Sequence, residues 1–275
     1  MKNILIFFFL IYTTIHVNAQ KQDTIFTNNE KIICSVKEIT PDAIKFTYPE
    51  EDIMNSVFKN SVQKIVFKSG RVQVFAEATS YKKLNSAEDF ENVTITQVES
   101  EIKGLFKVGE VHSKAKGTTT LSSMERVKGR AYKKLKIVAA MKGANIIYLT
   151  QQNTEGNQAG TQYQAGKSTE TNLAGVGYTN VLPNFDEFNK IFGNKKEYIS
   201  FQEINLGGSD ADLSVNKDNS NVSIQKIYNE SGLIMVDAII DGVNSTNKFR
   251  VVYFDKETFT LMYERKETIY NLKIK

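Results

Sequence analysis

The stretch of sequence that decides the fold is MERVKGRAYKKLKIVAAMKGANIIYL, residues 124–149. Its apolar side chains recur close to the helical period, at Met124, Val127, Ala131, Leu135, Val138, Ala139 and Met141. Its basic side chains supply the polar surface, at Arg126, Lys128, Arg130, Lys133, Lys134, Lys136 and Lys142. The pattern predicts an amphipathic helix with one apolar stripe and one basic face.

Gly143 predicts where this helix ends. A glycine just after the last turn adopts the left-handed conformation without a steric penalty, and Lys142 suits the negative end of the helix dipole. The apolar run that follows, residues 145–149, is predicted to be a strand, as are residues 93–96 and 105–111 upstream. These elements predict a small α/β domain over residues 92–183.

This helix and strand resemble the small envelope α/β domains of the YbjQ-like and Rcs-sensor-lipoprotein families. The resemblance is carried by the spacing of Ala131, Leu135, Ala139, Ala140, Gly143 and Ala144 before an apolar strand. It implies a flexible loop over residues 151–171, a returning strand over residues 173–180 and a place in the bacterial envelope. The metal or disulfide chemistry of those families does not carry over, because residues 92–183 contain no Cys and only His112.

The last part of the chain, residues 184–275, is predicted to be an antiparallel β domain. Phe185, Phe188, Ile191 and Phe192 predict a short amphipathic helix that ends at Gly193. Six strands follow, over residues 198–206, 222–228, 233–240, 249–254, 259–263 and 269–274. The short spacers favour an antiparallel meander, arranged either as a lipocalin-like barrel or as a sandwich. Its interior is expected to be either a filled apolar core or a cavity for a ligand.

The N-terminal part, residues 20–80, is predicted to be a small SH3-like β-barrel, because short apolar alternations must curl to cover one face. Cys34 falls on the apolar phase and is expected to be a buried thiol. Residues 81–91 form a connector. The whole is therefore an α+β, β-rich protein of three parts. Glu30, Ile65 and Gly70 belong to a pattern that resembles exported Bacteroidetes proteins of unknown function.

Residues 1–19 are predicted to be a cleaved signal peptide. Lys2 is followed by an apolar run over residues 4–15, and Ala19 offers a small residue at the cleavage point. The run is too short to span a bilayer comfortably, and Cys34 lies too far along the chain for a lipid anchor. The mature protein is therefore expected in the periplasm or outside the cell, without a transmembrane segment.

Composition excludes several classes of function. With 41% apolar and 24% charged residues, the 275-residue chain is a folded one rather than disordered. One Cys and two His are too few for a disulfide framework or a Cys/His zinc cluster. A net charge of +4 is too small to imply nucleic acid as a partner.

Catalytic motifs are absent from the sequence. It contains no Gly-x-Ser-x-Gly, no phosphate-binding loop and no His-Glu-x-x-His, and Cys34 has no evident His partner. The sequence therefore predicts a non-catalytic binding or interaction module without a cofactor. A carrier of a small apolar ligand in the C-terminal domain and an Asp/Glu hydrolase remain alternatives, as does a calcium site near Asp210.

The partner expected from the sequence is an envelope protein or a polysaccharide. The basic helix face could also contact anionic lipid, through Arg126, Arg130, Lys133, Lys134 and Lys136. A solvated helix face is the plain alternative, since a helix that covers a sheet shows one polar side.

Export gives the first testable prediction. The protein recovered from the cell envelope should begin at Gln20, because the small residue Ala19 precedes the predicted cleavage point. Intact-mass measurement and N-terminal sequencing check this. A chain that still begins at Met1 would contradict the export hypothesis.

Overall fold

The computed structural model describes residues 22–27, 30–75, 81–119, 122–156, 158–163 and 165–275. The predicted signal peptide lies outside these ranges. Within them the protein is β-rich, with several antiparallel sheets and few helices, as the sequence predicts. None of the described helices is both long and apolar enough to cross a membrane.

The N-terminal sheet is built from six short strands. They are β1 (Asp23–Thr27), β2 (Lys31–Ile39), β3 (Ala43–Thr47), β4 (Asn55–Phe58), β5 (Val62–Val66) and β6 (Val72–Val74). They lie in the order β4-β3-β2-β1-β5-β6, and each neighbouring pair is antiparallel. One face buries an apolar cluster that contains Ile25, Ile44, Ile65 and the predicted buried thiol Cys34.

The central sheet combines four strands with the predicted long helix. The strands are β7 (Thr94–Thr96), β8 (Phe106–Lys116), β9 (Ile146–Glu155) and β10 (Glu170–Thr179), and the helix is α1 (Met124–Met141). The order is β7-β9-β10-β8, with β10 antiparallel to both β8 and β9. Helix α1 therefore crosses over the returning strand β10. A 3₁₀ helix, Ala87–Asn92, precedes β7.

The loop predicted over residues 151–171 is shorter than expected. Strand β9 continues to Glu155, and β10 begins at its ladder partner Glu170. Residues 151–153 are exposed and polar, so no apolar alternation marks them as strand. The backbone ladder, rather than side-chain burial, holds this end of the hairpin.

Helix α1 ends as predicted, at a glycine in the left-handed conformation. Gly143 has φ +75° and donates its N–H to Ala140 O at 2.8 Å, while Ala144 donates to Ala139 O at 2.9 Å. These two bonds form the Schellman motif. A Cβ on Gly177 of β10 would lie 2.9 Å from the Cβ of Ala144, so small residues let the helix end approach the sheet.

The C-terminal part is a closed antiparallel barrel. The short helix α2 (Phe185–Phe192) has the predicted bounds, and seven strands follow: β11 (Glu197–Leu206), β12 (Ser214–Lys217), β13 (Asn221–Glu230), β14 (Leu233–Ile240), β15 (Lys248–Phe254), β16 (Phe259–Arg265) and β17 (Thr268–Ile274). The predicted meander is confirmed for β13 to β17, and β17 also pairs with β11, which closes the barrel. The sequence did not predict β12, because its four side chains are all exposed.

Aromatic rings fill one end of the barrel. Phe188 and Phe192 of α2 lie with their ring centroids 5.5 and 4.8 Å from that of Phe259, and Tyr198 lies 5.1 Å from the same ring. Aliphatic residues from the other strands complete this cluster. Helix α2 therefore covers this end of the barrel, and its phenylalanines belong to the barrel core.

Tyr253 does not lie on the predicted inner apolar face of β15. Alternation places it inside the barrel with Val251, but the strand register shifts between these two residues. The shift turns Tyr253 outward, into the core that the barrel shares with α1. A bulge of this kind leaves no mark in the alternation of a sequence.

This shared core joins the two parts of the chain on either side of the predicted boundary at residue 183. Helix α1 packs between the central sheet and the outer face of the barrel. The barrel contributes Ile204, Leu206, Val252, Tyr253, Met262 and Ile269. Residues that are far apart in the sequence therefore belong to one continuous apolar core.

Barrel side chains also bind the carbonyl groups at the end of α1. The last carbonyls of a helix lack partners within the helix. Here three successive ones accept hydrogen bonds: Ala140 O from the Tyr253 hydroxyl, Met141 O from Asn271 Nδ2 at 3.0 Å, and Lys142 O from Arg250 Nη2 at 2.5 Å.

The Arg250 guanidinium also donates to Val108 O at 3.1 Å. Burial lowers its pKa to about 10, so it stays charged at neutral pH beside the negative end of the dipole.

Replacing Arg250 tests this contact. The Arg250→Met variant keeps the aliphatic length but leaves two carbonyls without their donor, so we expect the free energy of unfolding to fall by about 2 kcal/mol. Urea unfolding measures it. Arg265→Met, at an exposed position of β16, should change stability by less than about 0.5 kcal/mol. Equal stabilities for the two variants would contradict the assigned role.

Candidate functional site

The basic residues predicted to bind an anionic surface are largely engaged within the protein. The Arg130 guanidinium donates to Lys116 O at 2.7 Å, and Lys136 Nζ donates to Glu91 O at 3.1 Å. Lys133 forms an ion pair with Asp212 near the start of β12. Arg126 is exposed.

Lys134 lies deepest of this group. It is 7% exposed, and its ammonium donates to the carbonyl groups of Gly207 and Gly208 after β11. Burial lowers its pKa, an effect that the nearby Asp210 and Glu267 carboxylates oppose. Lys134 therefore fixes α1 to the barrel and is not available to an external ligand.

A cleft offers a better candidate for a site. It has a volume of about 890 Å³ and lies where the connector, the end of the central sheet and the barrel meet. Lys83 and Asp89 line it from the connector, Asn145 and Asn180 from the sheet end, and Glu187 from α2. The turn between β15 and β16 forms the opposite wall.

Asn145 is the unusual group in this cleft. It is 3% exposed, and its Nδ2 donates to Asn180 Oδ1 at 2.7 Å and to Lys82 O at 3.0 Å. Its backbone bridges β7 and β10, since Thr94 N donates to Asn145 O and Asn145 N donates to Tyr178 O. These bonds hold the side chain in place. Its Oδ1 has no hydrogen-bond partner, which is uncommon for a buried acceptor.

Two carboxylates of the cleft are engaged by the backbone. Asp89 Oδ2 accepts from Asn85 N at 2.8 Å and from Ser86 N at 3.2 Å. Asp255 accepts from Glu257 N and Thr258 N, which stabilises the turn between β15 and β16. The hydrogen bond from Glu257 N is the main cause that lowers the pKa of Asp255. Both groups therefore have structural roles.

The side chains of the cleft that are free to contact a ligand include a carboxylate, two ammonium groups, an amide and two aromatic rings. Within the described ranges, no partner is found for the Glu187 carboxylate, the Lys83 and Lys256 ammonium groups or the amide N–H groups of Asn180. Phe185 and Phe254, both half-buried, add apolar surface to the cleft wall. The cleft can therefore accept and donate hydrogen bonds while it contacts an apolar face of the same molecule.

Sequence reasoning missed Asn145, Asn180 and Glu187. A signal was present for Asn145, because it stands directly between Ala144 and the apolar run that begins at Ile146. A polar residue at such a position usually has a specific hydrogen-bonding role. No comparable signal marks Asn180 or Glu187, since exposed polar residues are common at the ends of strands and helices.

The other residues considered from the sequence do not form a catalytic or metal centre. His112 lies exposed on β8. Asp210 accepts a hydrogen bond from Gly207 N at 2.8 Å, which closes the turn after β11. In the part of the chain that the structure describes, no three His, Cys, Asp or Glu side chains are grouped so that they could hold a metal ion.

Comparison with protein-family models, with curated proteins and with solved structures finds no match for this chain. The functional argument therefore depends on the geometry of the molecule itself.

Cys34 gives a prediction about reactivity. Burial raises the pKa of its thiol from 9.0 to about 11, and the Asp23 carboxylate adds to the increase. Only the thiolate reacts, so at about pH 8 a thiol-specific reagent should modify the folded protein at least about 100-fold more slowly than the denatured protein. The absorbance of released thionitrobenzoate measures both rates.

The raised pKa of Cys34 also makes the stability of the fold depend on pH. The folded-state pKa exceeds the unfolded value, so the thiol contributes stability below about pH 9 that is lost as the pH rises toward 11. A Cys34→Ala variant should lack this part of the alkaline decline. Rapid modification of the native thiol would show instead that Cys34 is accessible and reactive.

Proposed function

We propose that this protein is an exported, non-catalytic binding module whose cleft takes a hydroxyl-rich ligand, a saccharide of the cell envelope. The observation that carries the proposal is the orphan Oδ1 of Asn145. Its amide group is fixed by two hydrogen bonds, and the oxygen has less than 1 Å² of exposed surface. A ligand hydroxyl that enters the cleft and displaces the side chains over this oxygen would supply its missing donor.

Hydroxyl groups suit this cleft better than other polar groups do. A hydroxyl both donates and accepts, so neighbouring hydroxyls of one sugar ring could donate to Asn145 Oδ1 and accept from Asn180 Nδ2. Glu187 adds a second acceptor, and Lys83 and Lys256 add donors. The apolar face of a sugar ring would lie against Phe185 or Phe254.

The engaged carboxylates favour binding over hydrolysis. An Asp/Glu hydrolase needs two carboxyl groups that face a substrate. Asp89 and Asp255 accept backbone hydrogen bonds, which leaves Glu187 without a second carboxylate of that kind in the cleft.

The filled barrel end favours the cleft over the barrel as the ligand site. A lipocalin-like carrier would bind its apolar ligand inside the C-terminal barrel, where the rings of Phe188, Phe192 and Phe259 pack together. The proposal retains the SH3-like interpretation of the N-terminal sheet, which its six short antiparallel strands around one apolar cluster support.

Two conservative variants test the cleft. Asn180→Asp keeps the oxygen that accepts from Asn145 and removes the amide donors, and Glu187→Gln removes the free carboxylate charge. A glycan array of bacterial envelope saccharides identifies a ligand, and calorimetry measures its affinity. Each variant should weaken binding about 10-fold, as expected for the loss of one hydrogen bond in a complex.

Asp186→Asn is the matched control, because it removes the same charge from the same turn of α2 outside the cleft. It should bind like the unmodified protein. Absence of binding to every saccharide, or equal affinity in all three variants, would refute the proposed function.

A further inference from the structure

The outer face of the N-terminal sheet is apolar and basic. Cross-strand partners share a face of a sheet, and the register places two rows of four residues on the side away from the apolar cluster. The rows are Val72, Val66, Thr24 and Ile33, and Val74, Lys64, Phe26 and Lys31. We call these eight residues the outer N-terminal face. Five of them are apolar, two are lysines and none is acidic.

Several of these apolar side chains are open to solvent. Val74 is 68% exposed, Val72 is 53% exposed and Ile33 is 48% exposed. Singly exposed apolar residues are ordinary, but a contiguous apolar patch on a folded protein marks a contact surface. Strand β6, which carries the two valines, lies at the edge of the sheet.

The two lysines are arranged around one aromatic ring. Lys64 Nζ lies 4.9 Å and Lys31 Nζ 5.7 Å from the ring centroid of Phe26. The cation–π contacts hold both ammonium groups over this face rather than beside it. Their aliphatic stems extend the apolar surface, and the charges form its outermost layer.

We infer that the outer N-terminal face docks onto an anionic lipid surface. Valine, isoleucine and phenylalanine side chains can enter the boundary between headgroups and acyl chains, while lysines pair with lipid phosphates. Charge favours lipid over a second copy of the protein. A twofold contact through this face would bring Lys31 and Lys64 of both copies together without an acidic partner.

This inference is independent of the saccharide proposal and differs from the sequence-based hypothesis. The sequence placed lipid contact on α1, where Lys133, Lys134 and Lys136 are engaged within the protein. The outer N-terminal face carries two lysines without acidic neighbours in its rows, together with the exposed side chains of Ile33, Val72 and Val74. On α1 the exposed large apolar side chain is Met124.

Vesicle sedimentation of the purified protein tests the inference. The probes are vesicles of phosphatidylcholine alone and vesicles with about 30 mol% phosphatidylglycerol, at low and high salt. The protein should sediment with the anionic vesicles only, and less at high salt. Lys31→Gln with Lys64→Gln should lower the partition coefficient about 30-fold, and Val72→Ser with Val74→Ser at least about 10-fold.

Matched variants separate this surface from net charge and from α1. Lys107→Gln with Lys190→Gln removes the same charge at two exposed positions elsewhere and should leave sedimentation nearly unchanged. Unfolding curves verify that each variant folds. Lack of sedimentation, equal loss with the control pair, or loss with Arg126→Gln and Arg130→Gln instead would overturn the inference. A dimer in light scattering that Val72→Ser and Val74→Ser disperse would also overturn it, in favour of a second copy.

Discussion

The C-terminal carbonyl groups of α1 are the constraint on which the arrangement of the larger part of the protein depends. Tyr253, Asn271 and Arg250, all from the barrel, donate to three successive carbonyls at the end of α1. The first of them, Ala140 O, also accepts from Gly143 N. The bonds fix the helix end against the barrel wall, and the apolar residues around them complete one core. The cleft adjoins this contact, since Gly143 and Tyr253 line it together with residues of the connector, the sheet end and the barrel.

Periodicity made much of the fold predictable. Helix α2 has its predicted bounds, α1 ends at Gly143 as expected, and five of the six predicted barrel strands form the meander within about two residues of their predicted ends. Exposed strands escaped prediction, as β12 and the polar end of β9 illustrate, because backbone pairing rather than burial holds them. The outward turn of Tyr253 also escaped, because a bulge changes which face a residue occupies without changing the residue types.

The candidate site could not be predicted in the same way. Asn145 and Asn180 meet at the end of the central sheet, whereas Glu187 lies on α2, so no single stretch of sequence carries the site. The basic residues of α1 show the reverse case. The sequence predicted Lys134 on the polar face of α1 and Met124 on its apolar stripe, but Lys134 is buried by a turn from a distant part of the chain and Met124 is exposed. A sequence pattern gives the polarity of a face and does not identify what covers it.

Closure of the barrel through β11 and β17 imposes an order on folding. The first strand of the barrel cannot complete its pairing until the last one has been made, and the donors for α1 also come from these late strands. Such long-range contacts raise the contact order and slow folding, because a large loop must close before the contacts stabilise it. The barrel therefore closes only after β17 has been synthesised, about seventy residues after β11.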